Sequence, residues 1–240
     1  MTTTYGLYLE SGPRHRKTMV HILDLLGCVA VGPTTEDALA AAPAAMRAYI
    51  GFLHQLGEPF DPQAPFDTRV VEHITEGAWL GNGSPYVLYA PDFEPVGGDE
   101  LDIYLARYQA MRARLAGWAR GQTDIQLDAE PPAGGRTGRA ILLHVLGATG
   151  GYLAAALGGA PGFSKIYGAV ERGELPIIDG LLQSADLAQS TARRTTLEQR
   201  AAVRQLPKGP RTFHQALRRM LEHDWEHLAE LSRRPGGPRL

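Results

Sequence analysis

Leu101, Tyr104, Leu105, Tyr108, Met111, Leu115 and Trp118 follow one another at spacings of three and four. Such spacing places all seven on one face of an α-helix. It predicts a long amphipathic helix starting at Asp99, whose carboxylate can cap it. An apolar stripe of that width has to be buried against neighbouring elements. Two later segments offer partners. Thr137 can cap a helix with Ile141, His144, Val145, Ala148 and Tyr152 on one face. A last helix, beginning near Thr212, carries Phe213, Leu217, Met220, Leu221, Leu228 and Leu231. Further helices are expected near residues 164–171, 177–189 and 197–206, the last stopped by Pro207. Pro131-Pro132-Ala133-Gly134-Gly135 reads as a loop, and Pro235-Gly236-Gly237-Pro238 as a frayed tail.

Before residue 99 the pattern is different. Tyr5-Gly6-Leu7-Tyr8-Leu9, Thr18-Met19-Val20-His21-Ile22-Leu23 and Cys28-Val29-Ala30-Val31 read as strands, punctuated by Gly12-Pro13 and Gly32-Pro33. Thr34, with Asp37 three residues on, predicts a capped helix carrying Leu39, Ala42, Met46, Ile50 and Leu53 on one stripe. Pro43 should kink or split that helix. Two more strands are expected over residues 69–75 and 85–90. The Gly-, Pro- and acid-rich stretch 91–98 suits a domain joint. The expected class is therefore an α+β chain of two domains, residues 1–91 and 92–240, with the second able to fold alone as a helical bundle.

The chemistry concentrates in three histidines. His223 and His227 are four residues apart on one helix, so their imidazoles lie one turn apart on the same face. His144 falls inside the apolar stripe of another helix, where an imidazole needs a partner. Each one taken singly is more often a satisfied core residue than a ligand. Together, on facing bundle helices, they can hold one divalent metal and leave coordination positions open, the arrangement of a reactive rather than a structural site. Three neutral imidazoles suit Zn, Ni, Fe or Cu. Glu222, Asp224 and Glu226 read as solvated charges or as groups supporting the ligands. Arg193-Arg194 and Arg218-Arg219 read as solvated helix faces or salt-bridge partners, and one of the latter pair could meet an anionic substrate.

Three stretches carry a resemblance. Gly134-Gly135-Arg136-Thr137-Gly138-Arg139-Ala140-Ile141-Leu142-Leu143-His144, residues 200–206, and Arg218-Arg219-Met220-Leu221-Glu222-His223-Asp224-Trp225-Glu226-His227 resemble successive helices of the DinB-like superfamily. The resemblance covers about residues 92–232. It implies an up-down-down-up four-helix bundle with His144, His223 and His227 as ligands of a Zn, Ni or Fe ion. It also implies small-molecule chemistry of the thiol-dependent transferase or hydrolase type, with a low-molecular-weight thiol as one substrate class, and a homodimer built through bundle helices. The catalytic residues stay unassigned. Arg136 stands where that family often has a tryptophan.

The segment Asp24-Leu25-Leu26-Gly27-Cys28-Val29-Ala30-Val31-Gly32-Pro33-Thr34-Thr35-Glu36-Asp37-Ala38-Leu39 resembles the HicB-like fold, a small α/β sandwich, over about residues 1–57. Leu26 replaces that family's usual proline. HicB proteins bind small RNA-cleaving partners, which gives the alternative expectation: a non-enzymatic interaction module beside a structural or vestigial metal site. His21, His54 and His73 read as surface or edge histidines, and Cys28 as an inert packed thiol.

Composition narrows the classes. A formal net charge of −2 and short, scattered basic pairs give no support to nucleic-acid or membrane binding. A single cysteine excludes an internal disulfide framework and fits a reducing cytoplasm. No signal-peptide pattern opens the sequence. No apolar run was expected to reach the roughly 18 residues of a membrane span.

Overall fold

A computed structural model describes residues 2–132 and 134–240; Ala133, in the expected loop, lies outside them. The first half is a sheet with one helix on it. Strands β1 (Thr3–Ser11), β2 (Thr18–Ile22) and β3 (Cys28–Gly32) form an antiparallel meander. Helix α1 (Thr35–Gln55) then crosses over to β4 (Phe66–Ile74), which runs parallel to β1, giving the order β3-β2-β1-β4. Thr34 caps α1 as its sequence predicts, accepting the Asp37 amide at 3.1 Å. Pro43 does not split the helix. It costs one backbone hydrogen bond, while Ala38, Ala42, Met46 and Tyr49 stay buried on both sides of it.

Alternation along the strands gives the sheet two unlike faces. Leu9 pairs with Val20, and Ser11 with Thr18, on the face where Thr35 at the start of α1 bonds Thr18 at 2.9 Å. Tyr8 pairs with His21, and Glu10 with Met19, on the other. That second face meets the bundle.

The second half contains α2 (Gly98–Arg120), α3 (Asp124–Asp128), α4 (Gly138–Leu157), α5 (Phe163–Glu171), α6 (Ile177–Arg193), α7 (Leu197–Ala201) and α8 (Phe213–Ser232), with the hairpin β5 (Arg204–Leu206) and β6 (Gly209–Arg211) before α8. The four long helices pack in the cyclic order α2, α6, α4, α8. Tyr108 bonds Thr149, and Gly138 lies against Trp118, so α2 and α4 run oppositely. Arg193 pairs with Asp102, and Gln109 with Asp186, so α6 also opposes α2. Tyr104 stacks on His214 while Arg112 binds Asp224, so α8 runs with α2. The topology is up-down-down-up, as expected.

Several elements differ from expectation. Gly97, rather than Asp99, is the N-cap residue of α2. Residues 197–206 do not form one helix: α7 stops at Ala201 and the chain turns through Pro207 and Gly209, the latter at φ 105°. Residues 85–90 do not form a strand. The Pro85 and Val87 carbonyls that a neighbouring strand would use accept from Gln215, and Val87 also from Arg218, of α8. The tail is not frayed, since the Gly236 carbonyl accepts from Trp118 Nε1 at 2.9 Å. By length and composition α4 is apolar enough to cross a membrane, contrary to expectation; it serves here as a bundle helix, packed on α8, α6 and α5.

One cluster of buried side chains runs through both halves. Trp225 of α8 packs its indole on Tyr49 and Phe52 of α1, at ring-centroid distances of 4.7 and 5.2 Å. Tyr49 in turn donates to the Leu26 carbonyl, at 2.6 Å, in the turn before β3. The expected division at 91/92 falls within the helical turn Ala90–Phe93, between two sides of this one shared core.

Candidate metal centre

Helices α4 and α8 lie side by side and antiparallel, each started by a threonine whose hydroxyl accepts an amide of its first turn. Thr137 accepts Ala140 N and Thr212 accepts Gln215 N, both at 3.1 Å. These caps set where each helix begins, and so which turn of α4 faces which turn of α8. The register brings His144 against His223 and His227.

The three imidazoles converge as their spacing predicts. Ring centroids are 4.7 Å apart for His144 and His223, 5.0 Å for His144 and His227, and 4.6 Å for His223 and His227. Candidate donor atoms, one from each residue, all lie within 4.8 Å of one another. Nε2 of His223 is 2.9 Å from Nε2 of His144. Two imidazole lone pairs cannot face each other at that distance without a proton or a cation between them, so the donor set fits a metal ion. His223 and His227 are buried and His144 is exposed, which leaves the centre reachable from solvent along the α4 side.

Surrounding groups tune these rings. Burial, the largest influence, pushes the pKa of His223 down to about 3 and also lowers that of His144, where His227 and Arg136 add to the effect. Both are therefore neutral at pH 7, the form that donates a lone pair to a metal. Glu230 accepts from His227 Nδ1 at 2.8 Å and is held in turn by Arg136 and Arg234 at 3.1 and 3.0 Å. That hydrogen bond assigns the proton to Nδ1 and turns the Nε2 lone pair of His227 toward the cluster. The same bond, with the Arg136 and Arg234 guanidiniums, holds the Glu230 carboxyl down to about 2 against the effect of burial. His223 Nδ1 is buried without a hydrogen-bond partner, 3.9 Å from Asp224.

The flanks of α8 correct several expectations. Glu222 and Asp224 are buried, not solvated. Arg112 of α2 binds Asp224 through Nε and Nη2 and also reaches the Val145 carbonyl and Thr149 hydroxyl of α4, tying three helices together behind His223. Glu222 takes hydrogen bonds from Arg218 and Arg219 and meets His21 at 2.8 Å. Burial favours its neutral form, but His21 and the two arginines outweigh it and hold the carboxyl far below its usual range. Arg218 forms a two-pronged pair with Asp92, at 2.8 and 2.9 Å. His21, expected at an edge, is 1% exposed. Cys28 is buried with its thiol pKa raised, as an inert packed residue should be.

Sequence reasoning missed His21, Asp92, Arg112 and Glu230. Arg112 had a visible signal, a cation at a stripe position four residues after Tyr108. Glu230 had another, a carboxylate three residues after His227. Nothing local marks His21 or Asp92.

The fold and the cluster define a class: a four-helix bundle with three histidines gathered between two antiparallel helices. The DinB superfamily matches residues 107–231, just over half of the chain and the span that holds all three histidines, and the chain belongs to that superfamily. Among solved structures, YfiT from Bacillus subtilis is similar at 20% sequence identity and a TM-score of 0.42, over 58% of this chain and 90% of that one. YfiT is described as a probable metal-dependent hydrolase with an unusual four-helix bundle topology. No curated protein matches.

Proposed function

We propose that the protein is a divalent-metal-dependent enzyme acting on small molecules, of the hydrolase or thiol-dependent transferase type, with His144, His223 and His227 as the ligands of a Zn, Ni or Fe ion. The observation that carries this reading is the convergence of the three histidines with His144 open to solvent. A metal held there supplies Lewis acidity, lowering the pKa of a thiol or water toward neutrality. The chain's own residues do the rest. Glu230 fixes the tautomer of His227, and the Arg112–Asp224 pair holds α8 against α4 so that the nitrogens stay converged. A cytoplasmic location and a homodimer belong to the same proposal, from the single cysteine and the family resemblance.

A second reading, a HicB-like module that binds a protein partner beside an inactive site, is supported by Val70 and Val71. They are 50% and 47% exposed on β4, an edge strand. Elemental analysis of the purified protein beside its His144→Ala and His223→Ala variants separates the two. About one equivalent of metal, lost in both variants, is the expected result. Absence of metal after reconstitution with Zn, Ni and Fe would remove the enzyme reading and leave the partner-binding one.

A further inference from the structure

The groove between α4 and α8 continues beyond the histidines. One turn on from His144 is Ala148, followed by Gly151, Tyr152 and Ala155; one turn back from His223 is Arg219, preceded by Ala216 and Thr212. These two rows line one side of a mostly apolar cavity of about 600 Å³, a size suited to a small-molecule ligand. Pro85, Tyr86 and the β5–β6 hairpin close the other side. Tyr152 links cavity and cluster, its ring 6.0 Å from that of His223. A second cavity, which includes His144, shares Gly147, Ala148 and Gly151 with the first. Small residues of α4 thus line both cavities, and the first forms a trough from Tyr152 to the hairpin.

The hairpin end is cationic and uncompensated. Arg211 is 6% exposed, yet among the described residues it has no carboxylate partner. Its guanidinium bonds only the Gly209 and Pro210 carbonyls and lies over Tyr86 at 4.6 Å. Lys208, also without a carboxylate, reaches the Tyr86 hydroxyl at 3.3 Å. Arg219, deeper in the cavity wall, is paired with Glu222 through Nη1 but keeps a buried Nε without a partner. The first turn of α8, whose Thr212 and Gln215 line the same cavity, contains no acidic residue. A buried cation without a counter-ion is expensive, whereas Arg112, Arg107 and Arg218 elsewhere in the fold all have one.

We infer that this trough binds an amphipathic anion, a carboxylate with an apolar body, its acid end at Arg211 and Lys208 and its body along Ala148, Tyr152 and Ala155. Its use as the substrate's seat, with the far end of the ligand at the histidines, rests on the metal-centre reading; the binding itself does not.

Octanoate is the probe, titrated calorimetrically into the full-length protein, with octan-1-ol as the uncharged equivalent. Octanoate is expected to bind at least about tenfold more tightly than octan-1-ol, the size of a charge-assisted hydrogen bond. Arg211→Gln and the exposed Lys208→Gln should each reduce that preference, and Ala155→Trp should abolish binding by filling the trough. Equal affinity for octanoate and octan-1-ol, no octanoate binding, or binding unchanged in Ala155→Trp would overturn the inference. Octanoate binding by a wild-type protein that takes up no metal would sustain it while removing the metal reading.

Discussion

The two sides of α8 solve the same problem in opposite ways. Toward the sheet, Arg218, Arg219 and Glu222 are buried and joined to His21 and Asp92 in a network where nearly every charge has its opposite. Toward α4, His223 and His227 are buried too, but two imidazole nitrogens face each other at 2.9 Å and His223 Nδ1 has no partner. A network of opposite charges fixes the helix; a cluster of like rings leaves room for a cation. Polarity of the buried residues does not separate architecture from chemistry on this helix. Pairing with an opposite charge does.

The hardest test of that contrast is to remove the sheet. Residues 92–240 alone would lose His21 from Glu222 and both Tyr49 and Phe52 from Trp225. The expected result is a fragment with weakened helical far-UV signal and no cooperative thermal transition. A cooperative fragment that also binds metal would make the bundle a self-sufficient domain and the sheet-side network dispensable. Next in size is Arg218→Ala, which strands Asp92 in the interior and takes one of two arginines from Glu222. A loss of about 3–5 kcal/mol in denaturant unfolding is expected, and a loss below about 1 kcal/mol would show that the network is not paired as described.

Smaller effects belong to the other side. Glu230→Gln keeps the shape of the carboxylate but weakens its hold on His227, so metal affinity should fall by about 10–100-fold in a chelator competition. Unchanged affinity would mean that Glu230 has no hold on the ligand. His144→Ala, at an exposed position, should alter the stability of the metal-free protein by no more than about 0.5 kcal/mol. A much larger loss would place His144 among the packing residues.

The sequence showed what lies within a turn or two of helix. Thr34, Thr137 and Thr212 were legible as caps because the amide each one accepts is three residues away. His223 and His227 were legible because helical geometry alone makes them neighbours. The meeting with His144 needed only the inference that α4 and α8 pack together. What stayed hidden is joined over long separations: His21 and Glu222 are 201 residues apart, and Arg218 and Asp92 are 126. Read locally, Glu222 and Asp224 are ordinary helix-surface charges. Only the docking of the sheet and of α2 makes them interior. Residues 85–90 misled for a related reason. Their alternation suits a strand, but side chains of α8 take the carbonyls a strand would share.

Those separations also set a timetable. At about 5–20 residues per second of synthesis, His21 emerges roughly 10–40 s before Glu222, and His144 roughly 4–16 s before His223. From the completion of β4 until α8 follows, the Glu10 and His21 face of the sheet lacks the helix that covers it, a surface open to a nascent-chain chaperone. The histidine cluster can assemble only once α8 has been made, which places metal capture late in the making of the molecule.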